Sequence, residues 1–364
     1  MSCQWKIEIY RNWDEVDSPE FLGKWEKMID AAPEAHVFYH PAVLKAWTDT
    51  YRKLENIKPL YCVACCGDVT VFLPLISWRR NWKNAFIRLI VPAGYSDYDY
   101  HDPIVTGQFT SGLVDSFWST IEKEIFGKNS IKYDSINFSG IRYPGTNEAW
   151  IVEPEVCPYV DLASYSSYEQ FYLSLKKSVR YDVEKKIRRL KVCGDITYRK
   201  YGADNVKSAL EALPLFLEAH QQRWPNAYKA PGLHNAIIAN GIRAGVIHFS
   251  ELAINSKVIN WVYGFVYKNK YYYYMPASFY GKEYIKNSPG KAHISFLLED
   301  CFNHGVTCFD FLRGSEAYKY EWDSKTANVY SYSRNSNGLQ ARLINGLLKN
   351  KYAINAIISR SRLL

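Results

Sequence analysis

Apolar and polar positions along the chain alternate with two periods, and the switches between them mark the elements. Residues 5–10 alternate with period two and predict a strand. Residues 19–29 and 41–51 repeat apolar side chains at helical spacing, and each opens with a proline, Pro19 and Pro41, at a first-turn position. Residues 59–65 and 69–76 flank Gly67-Asp68 and predict a hairpin, with 86–91 as the next strand. A helix over 111–126 and a short strand over 135–138 complete this first series.

A second series follows in similar order. Residues 159–162 predict a short opening strand, and long helices are expected over 168–192 and 206–223. Between them 195–201 reads as an extra strand with no counterpart in the first series. Residues 245–254 and 257–266 form a hairpin around Asn255-Ser256, followed by a strand over 271–279, a helix over 290–304 and a strand over 307–311. Strand, two helices, three-strand meander, helix and strand thus occur twice, apart from that one insertion. The link over 139–158 contains Pro144, Gly145 and Pro154 and separates the halves. The fold class expected is α/β, with two mixed-sheet domains in tandem over 1–150 and 151–364.

Composition narrows the chemistry. At 364 residues and 48% hydrophobic, the chain can bury two cores. A net charge of +8, from 45 Lys and Arg against 37 Asp and Glu, suits small anionic ligands and is too weak to argue for nucleic acid. No apolar run approaches the ~20 residues of a membrane span, and the first residues lack a signal pattern, so a cytoplasmic protein without membrane partners is expected. Among the 8 Cys, Cys62, Cys65 and Cys66 lie in an apolar run, and no second pair exists to complete a zinc site. Free buried thiols and no metal are expected.

Two loops carry candidate chemistry. Asn287-Ser288-Pro289-Gly290-Lys291 joins a strand to a helix, where open N–H groups and the helix dipole favour a pyrophosphate. Lys282, Lys286 and Lys291 add positive charge there; the plainer reading is an N-cap by Ser288. The loop 92–103 is its opposite in character. It carries Asp97, Asp99, His101 and Asp102 interleaved with Tyr98 and Tyr100, and would repel a phosphate. One half therefore suits an anionic carrier, the other a cationic or hydroxyl-rich ligand. A carboxylate in this loop can attract an ammonium group and then accept its proton, with Asp99 preferred over Asp97 and His101 able to serve near neutral pH. Asx turns are the structural alternative. Arg313 can clamp a phosphate or pair with Asp310 or Glu316. The segment His220–Trp224 reads as core, with Trp224 sealing it. The basic run from Lys176 to Lys191 and the tail 343–364 read as a solvated helix face and a packing helix.

Three segments resemble the first half of the FemAB-like, duplicated GNAT acyltransferases: Phe38-Tyr39-His40-Pro41-Ala42-Val43-Leu44-Lys45-Ala46-Trp47, Phe72-Leu73-Pro74-Leu75, and Asp99-Tyr100-His101-Asp102-Pro103. Ser288-Pro289-Gly290, Asp310-Phe311-Leu312-Arg313-Gly314 and Tyr318-Lys319 resemble the second half. Within that group the chain is similar to N-acyltransferases of nucleotide-linked amino-dideoxysugars, such as those of anthrose or 3-acylamino-3,6-dideoxyhexoses.

The resemblance implies a FemAB-like pair of GNAT domains. Acyl-CoA is the co-substrate and no cofactor is tightly bound. Pantetheine lies beside the strand holding Tyr274, Pro276 and Ala277, and pyrophosphate lies at Lys286, Ser288, Pro289, Gly290 and Lys291. Tyr98, Tyr100, Arg313, Tyr318 and Lys319 face an amino sugar carried on a nucleotide such as dTDP. On the residues themselves, Tyr274 and Tyr318 are candidate acids toward the leaving thiolate, with at least two rings of the run Tyr271–Tyr274 expected in core or surface packing. The phosphate loop is poorer in glycine than is usual for GNAT proteins. The alternative is a FemAB-type aminoacyl or peptidoglycan transferase using aminoacyl-tRNA, but the helical-arm insertion common there is missing and the charge is modest. The assembly entertained is a homodimer.

Overall fold

A computed structural model describes residues 4–82, 85–127, 131–142, 151–225, 228, 230–278 and 288–336. These residues fall into two compact units. Unit 1 runs to Ala35, resumes over Tyr51–Pro154 and takes the chain from Tyr330 onward; unit 2 comprises His36–Thr50 and Glu155–Val329. Each unit is discontinuous, unlike the stretches 1–150 and 151–364.

Unit 1 contains β1 (Lys6–Tyr10), α1 (Trp13–Val16), α2 (Pro19–Ala31), the end of α3 (Pro41–Leu54), β2 (Asn56–Cys66), β3 (Val69–Trp82), β4 (Ala85–Pro92), β5 (Ile104–Thr106), α4 (Ser111–Phe126) and β6 (Ser135–Ile141). α2 starts where the sequence signals it: the Ser18 hydroxyl accepts the Phe21 N–H and Pro19 occupies the first turn. The sheet runs β1-β2-β3-β4-β6, and Tyr330–Asn335 of the last strand (Lys325–Asn335) pairs antiparallel with β6. β4 and β6 are parallel, with Leu89 opposite Ser135 and Ile90 opposite Ile136. Phe117, Ile121 and Ile125 of α4 pack on Leu60, Cys62, Val71 and Leu73 of the sheet. Each such fully buried side chain contributes roughly 1.5–3 kcal/mol.

Unit 2 contains most of β7 (Ile151–Asp161), then α5 (Tyr168–Ser174), α6 (Lys177–Cys193), β8 (Ile196–Tyr201), α7 (Val206–Arg223), α8 (Leu233–Arg243), β9 (Ile247–Ile254), β10 (Lys257–Tyr267), β11 (Lys270–Ser278), α9 (Pro289–Asn303) and β12 (Cys308–Asp310), so that the last strand becomes β13. Its sheet order is β7-β12-β11-β10-β9-β8. The four tyrosines of β11 divide by strand alternation. Tyr271 and Tyr273 join the core built by α5, α6 and α9. Tyr272 and Tyr274 turn to the other face, where both rings meet Phe38.

The topology corrects three sequence expectations. β8 pairs with β9 as β1 pairs with β2, so residues 195–201 are the counterpart of the opening strand and not an insertion. The surplus elements of unit 2 are β7, α5 and α6. The helix expected over 168–192 is two helices, broken where Leu175 and Lys176 adopt extended ψ values of 148° and 136°. α8, β5 and β13 lay outside the predicted elements. Cys62 is buried, and burial pushes its thiol up to about 12; Cys66 is disulfide-bonded, contrary to the expectation of free thiols. Among the described residues no helix is long and apolar enough to cross a membrane.

Candidate active site

The distinctive backbone feature of unit 2 is a parallel strand pair that parts. β11 and β12 are in register at Lys270–Cys308, Tyr271–Phe309 and Tyr272–Asp310, and there the pairing ends. β11 runs on to Ser278 along β10. The chain after β12 follows β7 instead, with Phe311 N–H donating to the Pro158 carbonyl (2.9 Å) and Gly314 N–H to that of Val156 (3.0 Å). The Asp310 carboxylate accepts the Leu312 N–H at 2.8 Å and sets the turn, which places Leu312 and Gly314 at φ of 59° and 114°. Opposite the parting, β11 and β10 slip register between Tyr263 and Phe265. Gly264 permits this: a Cβ there would lie 2.6 Å from both the Tyr271 hydroxyl and the Tyr272 carbonyl oxygen.

A buried polar relay fixes the far end of β11 to α9. Asn260 donates to the Ala277 carbonyl and the Ser278 hydroxyl, both at 2.8 Å. Its side-chain oxygen accepts from His293 Nδ1, and His293 Nε2 faces the Ser250 hydroxyl at 3.0 Å. The Asn260 acceptor assigns the proton to Nδ1. Burial holds the His293 imidazole down near pKa 3, hence neutral. None of Asn260, His293 or Ser250 stood out in the sequence, because each looks like an isolated polar residue in an apolar run.

The start of α9 lies on this relay. Ser288 sits in left-handed backbone (φ 44°) and its hydroxyl does not cap the helix; it meets Lys186 Nζ of α6 at 3.2 Å instead. The basic run of α6, expected to be a solvated face, thus places one cation at the N-terminus of α9. Lys291 is not available for a phosphate. It donates to Asp182 at 2.7 Å and pairs with Glu321, and those carboxylates raise its pKa. Pro289 is buried and Gly290 half-buried in the first turn. Lys282, Lys286 and Asn287 lie outside the described residues.

At the parting itself, Tyr273 packs on Phe311 at 5.6 Å and Phe311 on Tyr318 at 6.1 Å. Burial and Glu316 hold the Tyr318 phenol well above its usual range, with the Arg223 charge opposing. The same guanidinium acts on Tyr273 and Glu316, which places the end of α7 here. Trp224, expected to seal the core, is 48% exposed, whereas His220 is buried. Arg313 faces Glu155 at 3.6 Å, neither of its expected partners. Lys319, expected to touch substrate, is 3% exposed. Its ammonium donates to the Leu312, Arg313 and Gly314 carbonyls and pairs with Glu316 at 2.9 Å. Tyr274 meets Tyr263 and Phe265; Pro276 is half-buried and Ala277 buried.

The acidic loop belongs to unit 1, and most of it is structural. Asp102 is 2% exposed and receives the Arg142 guanidinium at 2.6 Å. The His101 ring faces the Ser139 carbonyl at 2.8 Å. Tyr98 and Tyr100 are buried, against the expectation of substrate contacts; Tyr98 lies under Gly94 and Tyr100 against the Arg142 guanidinium. Asp97 and Asp99 are the half-buried carboxylates of the loop, and Asp97 accepts the Tyr51 hydroxyl at 2.7 Å. Tyr95 and Ser96 border a pocket of about 260 Å³ whose other walls are residues 137–139 and 331–333.

These features agree with comparison to known proteins. The stretch 177–320 matches the family model described as an acetyltransferase (GNAT) domain, and it contains the strand parting, the start of α9 and Tyr318. This stretch is thus similar to GNAT acyltransferase domains. The structure is similar to that of FemX, at TM-score 0.56 and 10% identity over 86% of this chain and 96% of the other. It is also similar to a conserved protein of unknown function from Bacteroides thetaiotaomicron VPI-5482 (TM-score 0.51, 12% identity, 86% and 97% covered). A third likeness is to the C-terminal domain of a putative lysylphosphatidylglycerol synthetase from Agrobacterium fabrum (TM-score 0.50, 12% identity, 84% and 96% covered). At such identities the likeness is one of fold, and the fold is a tandem GNAT-like α/β arrangement. No curated protein matches the sequence.

Proposed function

We propose that the protein is an N-acyltransferase that moves an acyl group from acyl-CoA, bound by unit 2, to the amine of a nucleotide-linked amino-dideoxysugar. The observation that carries the acyl-transfer reading is the parting of β11 from β12 inside the GNAT-matching stretch. Diverging parallel strands leave a wedge beside β11 in which an extended chain with amides, such as pantetheine, can lie strand-like. The start of α9 with Lys186 suits the pyrophosphate at the other end of that carrier. Tyr318, kept protonated by its surroundings, can present its O–H as a hydrogen-bond donor to the departing thiolate.

The acceptor assignment draws on the sequence resemblance and on unit 1. Serine hydroxyls, the Asn137 amide and the rings of Tyr95 and Tyr332 line its pocket, a mixture that suits a sugar. Asp97 and Asp99 are the carboxylates this reading assigns to drawing in the cationic amine before acyl transfer.

Incubation with acetyl-CoA and a panel of dTDP-linked amino-dideoxysugars, with thiol release followed, tests the reading. Release dependent on one amino sugar is expected, and Asp99→Asn lowers kcat/KM for that sugar at least tenfold while leaving coenzyme A affinity unchanged. No binding of coenzyme A to the wild-type protein would overturn it.

A further inference from the structure

Four polar aromatic side chains of unit 2 meet on the α7 and α8 side of the sheet. They are His220 of α7, Tyr228 in the α7–α8 connection, His234 of α8 and Tyr263 of β10. The rings form a chain of near-perpendicular contacts: His220 to Tyr228 at 5.7 Å, Tyr228 to His234 at 5.5 Å and His234 to Tyr263 at 6.0 Å. In each residue one polar atom is buried with no hydrogen-bond partner: Nδ1 of His220 and His234, and the hydroxyls of Tyr228 and Tyr263. Both imidazoles are more than nine-tenths buried. A buried polar atom left unpaired costs free energy. Four in one ring-to-ring cluster mark a place built to be completed by a polar group that no described residue supplies.

The cluster adjoins the strand where acyl transfer is placed. Tyr263 is opposite Met275 of β11, at the register slip, and its ring is 5.5 Å from that of Tyr274. Arg223, one turn beyond His220, acts on both His220 and Tyr273. Burial, reinforced by Arg223 at His220 and by His220 at His234, lowers both imidazoles to about pKa 4, so each is uncharged and retains a lone pair. Among the described residues, the ionisable groups acting on this cluster are thus the two imidazoles, Arg223 and the Tyr228 and Tyr263 phenols, with no carboxylate.

We propose that this cluster receives the acceptor nitrogen and that His220 or His234 takes its proton. The proposal rests on the acyltransferase reading. As the amine nitrogen bonds to the thioester carbonyl carbon it becomes cationic and more acidic than the free ammonium; the uncharged imidazole takes its proton as the N⁺–H bond breaks. The C–S bond then breaks, the thiolate is protonated, and the amide and free coenzyme A leave. The phenols donate to or accept from the nitrogen's remaining groups and hold its direction.

The test uses the full chain with His220→Asn, His234→Asn and Tyr263→Phe, acetyl-CoA, and the dTDP-amino sugar giving the highest wild-type thiol release. Coenzyme A binding is measured by calorimetry on each variant, and thermal melting reports folding. Each histidine variant is expected to bind coenzyme A within twofold of wild type. At least one loses 100-fold or more in kcat, and the component of the acidic limb near pH 4 disappears from its pH–rate profile; Tyr263→Phe loses about tenfold. Folded variants that bind coenzyme A and keep wild-type kcat and pH profile would overturn this proposal alone. A wild-type protein that fails to bind coenzyme A would instead overturn the reading beneath it.

Discussion

Lys291 and Lys319 look alike in sequence as cations beside a ligand loop, yet the chain neutralises both. Lys319 holds three carbonyls of the turn after β12. Lys319→Met strands those acceptors and Glu316, and is expected to lower unfolding free energy by about 3 kcal/mol in a urea titration. A variant of undiminished stability with weakened acceptor binding would return Lys319 to the substrate. Asp102 is a parallel case, since its carboxylate is occupied by Arg142. The reason is general: a charge that folding encloses must find its partner within the fold, and those partners are up to 109 residues away in sequence here.

At the scale of elements, two devices shape the wedge. The register slip at Gly264 needs a residue without Cβ, because a side chain would strike the Tyr272 backbone. Gly264→Ala is expected to cost about 1–3 kcal/mol of stability and to weaken coenzyme A binding in calorimetry, since β11 must shift to accept the methyl. The second device is α6 against α9. Lys186→Glu reverses the charge beside Ser288 and is expected to reduce coenzyme A affinity about tenfold, with the effect shrinking at high salt. Unchanged affinity would remove α6 from the carrier site.

For the whole molecule, His293, His220 and His234 are among the buried groups that shape acid stability. His293, near pKa 3, and His220 and His234, near 4, all lie below the usual 6.5. The unfolded chain binds protons at these sites from about pH 6.5 downward, while the folded chain does so only near its own lower values. Stability is therefore fully present above pH 6.5 and is lost as pH falls toward 4, with each site contributing at most about 1.4 kcal/mol per pH unit. Chemical denaturation at pH 7, 6, 5 and 4 should show this decline; a flat profile would mean that these imidazoles are solvated. Coenzyme A at 100 times its Kd should add about 2.7 kcal/mol to the stability of the protein, read as a rise in melting temperature.

The sequence by itself determined most element types, the three-strand meanders and the helix start at Pro289, because periodicity and turn residues act over a few neighbours. Tertiary structure decided what those elements meet. Pairing with β9 made β8 the counterpart of β1, and the hydrogen bonds of Phe311 and Gly314 to β7 drew β12 away from β11. Packing gathered Asn260, His293 and Ser250 into one relay and His220, Tyr228, His234 and Tyr263 into one cluster. Those are contacts across tens of residues, which no local pattern encodes; they form only when the fold brings distant side chains together as it buries them.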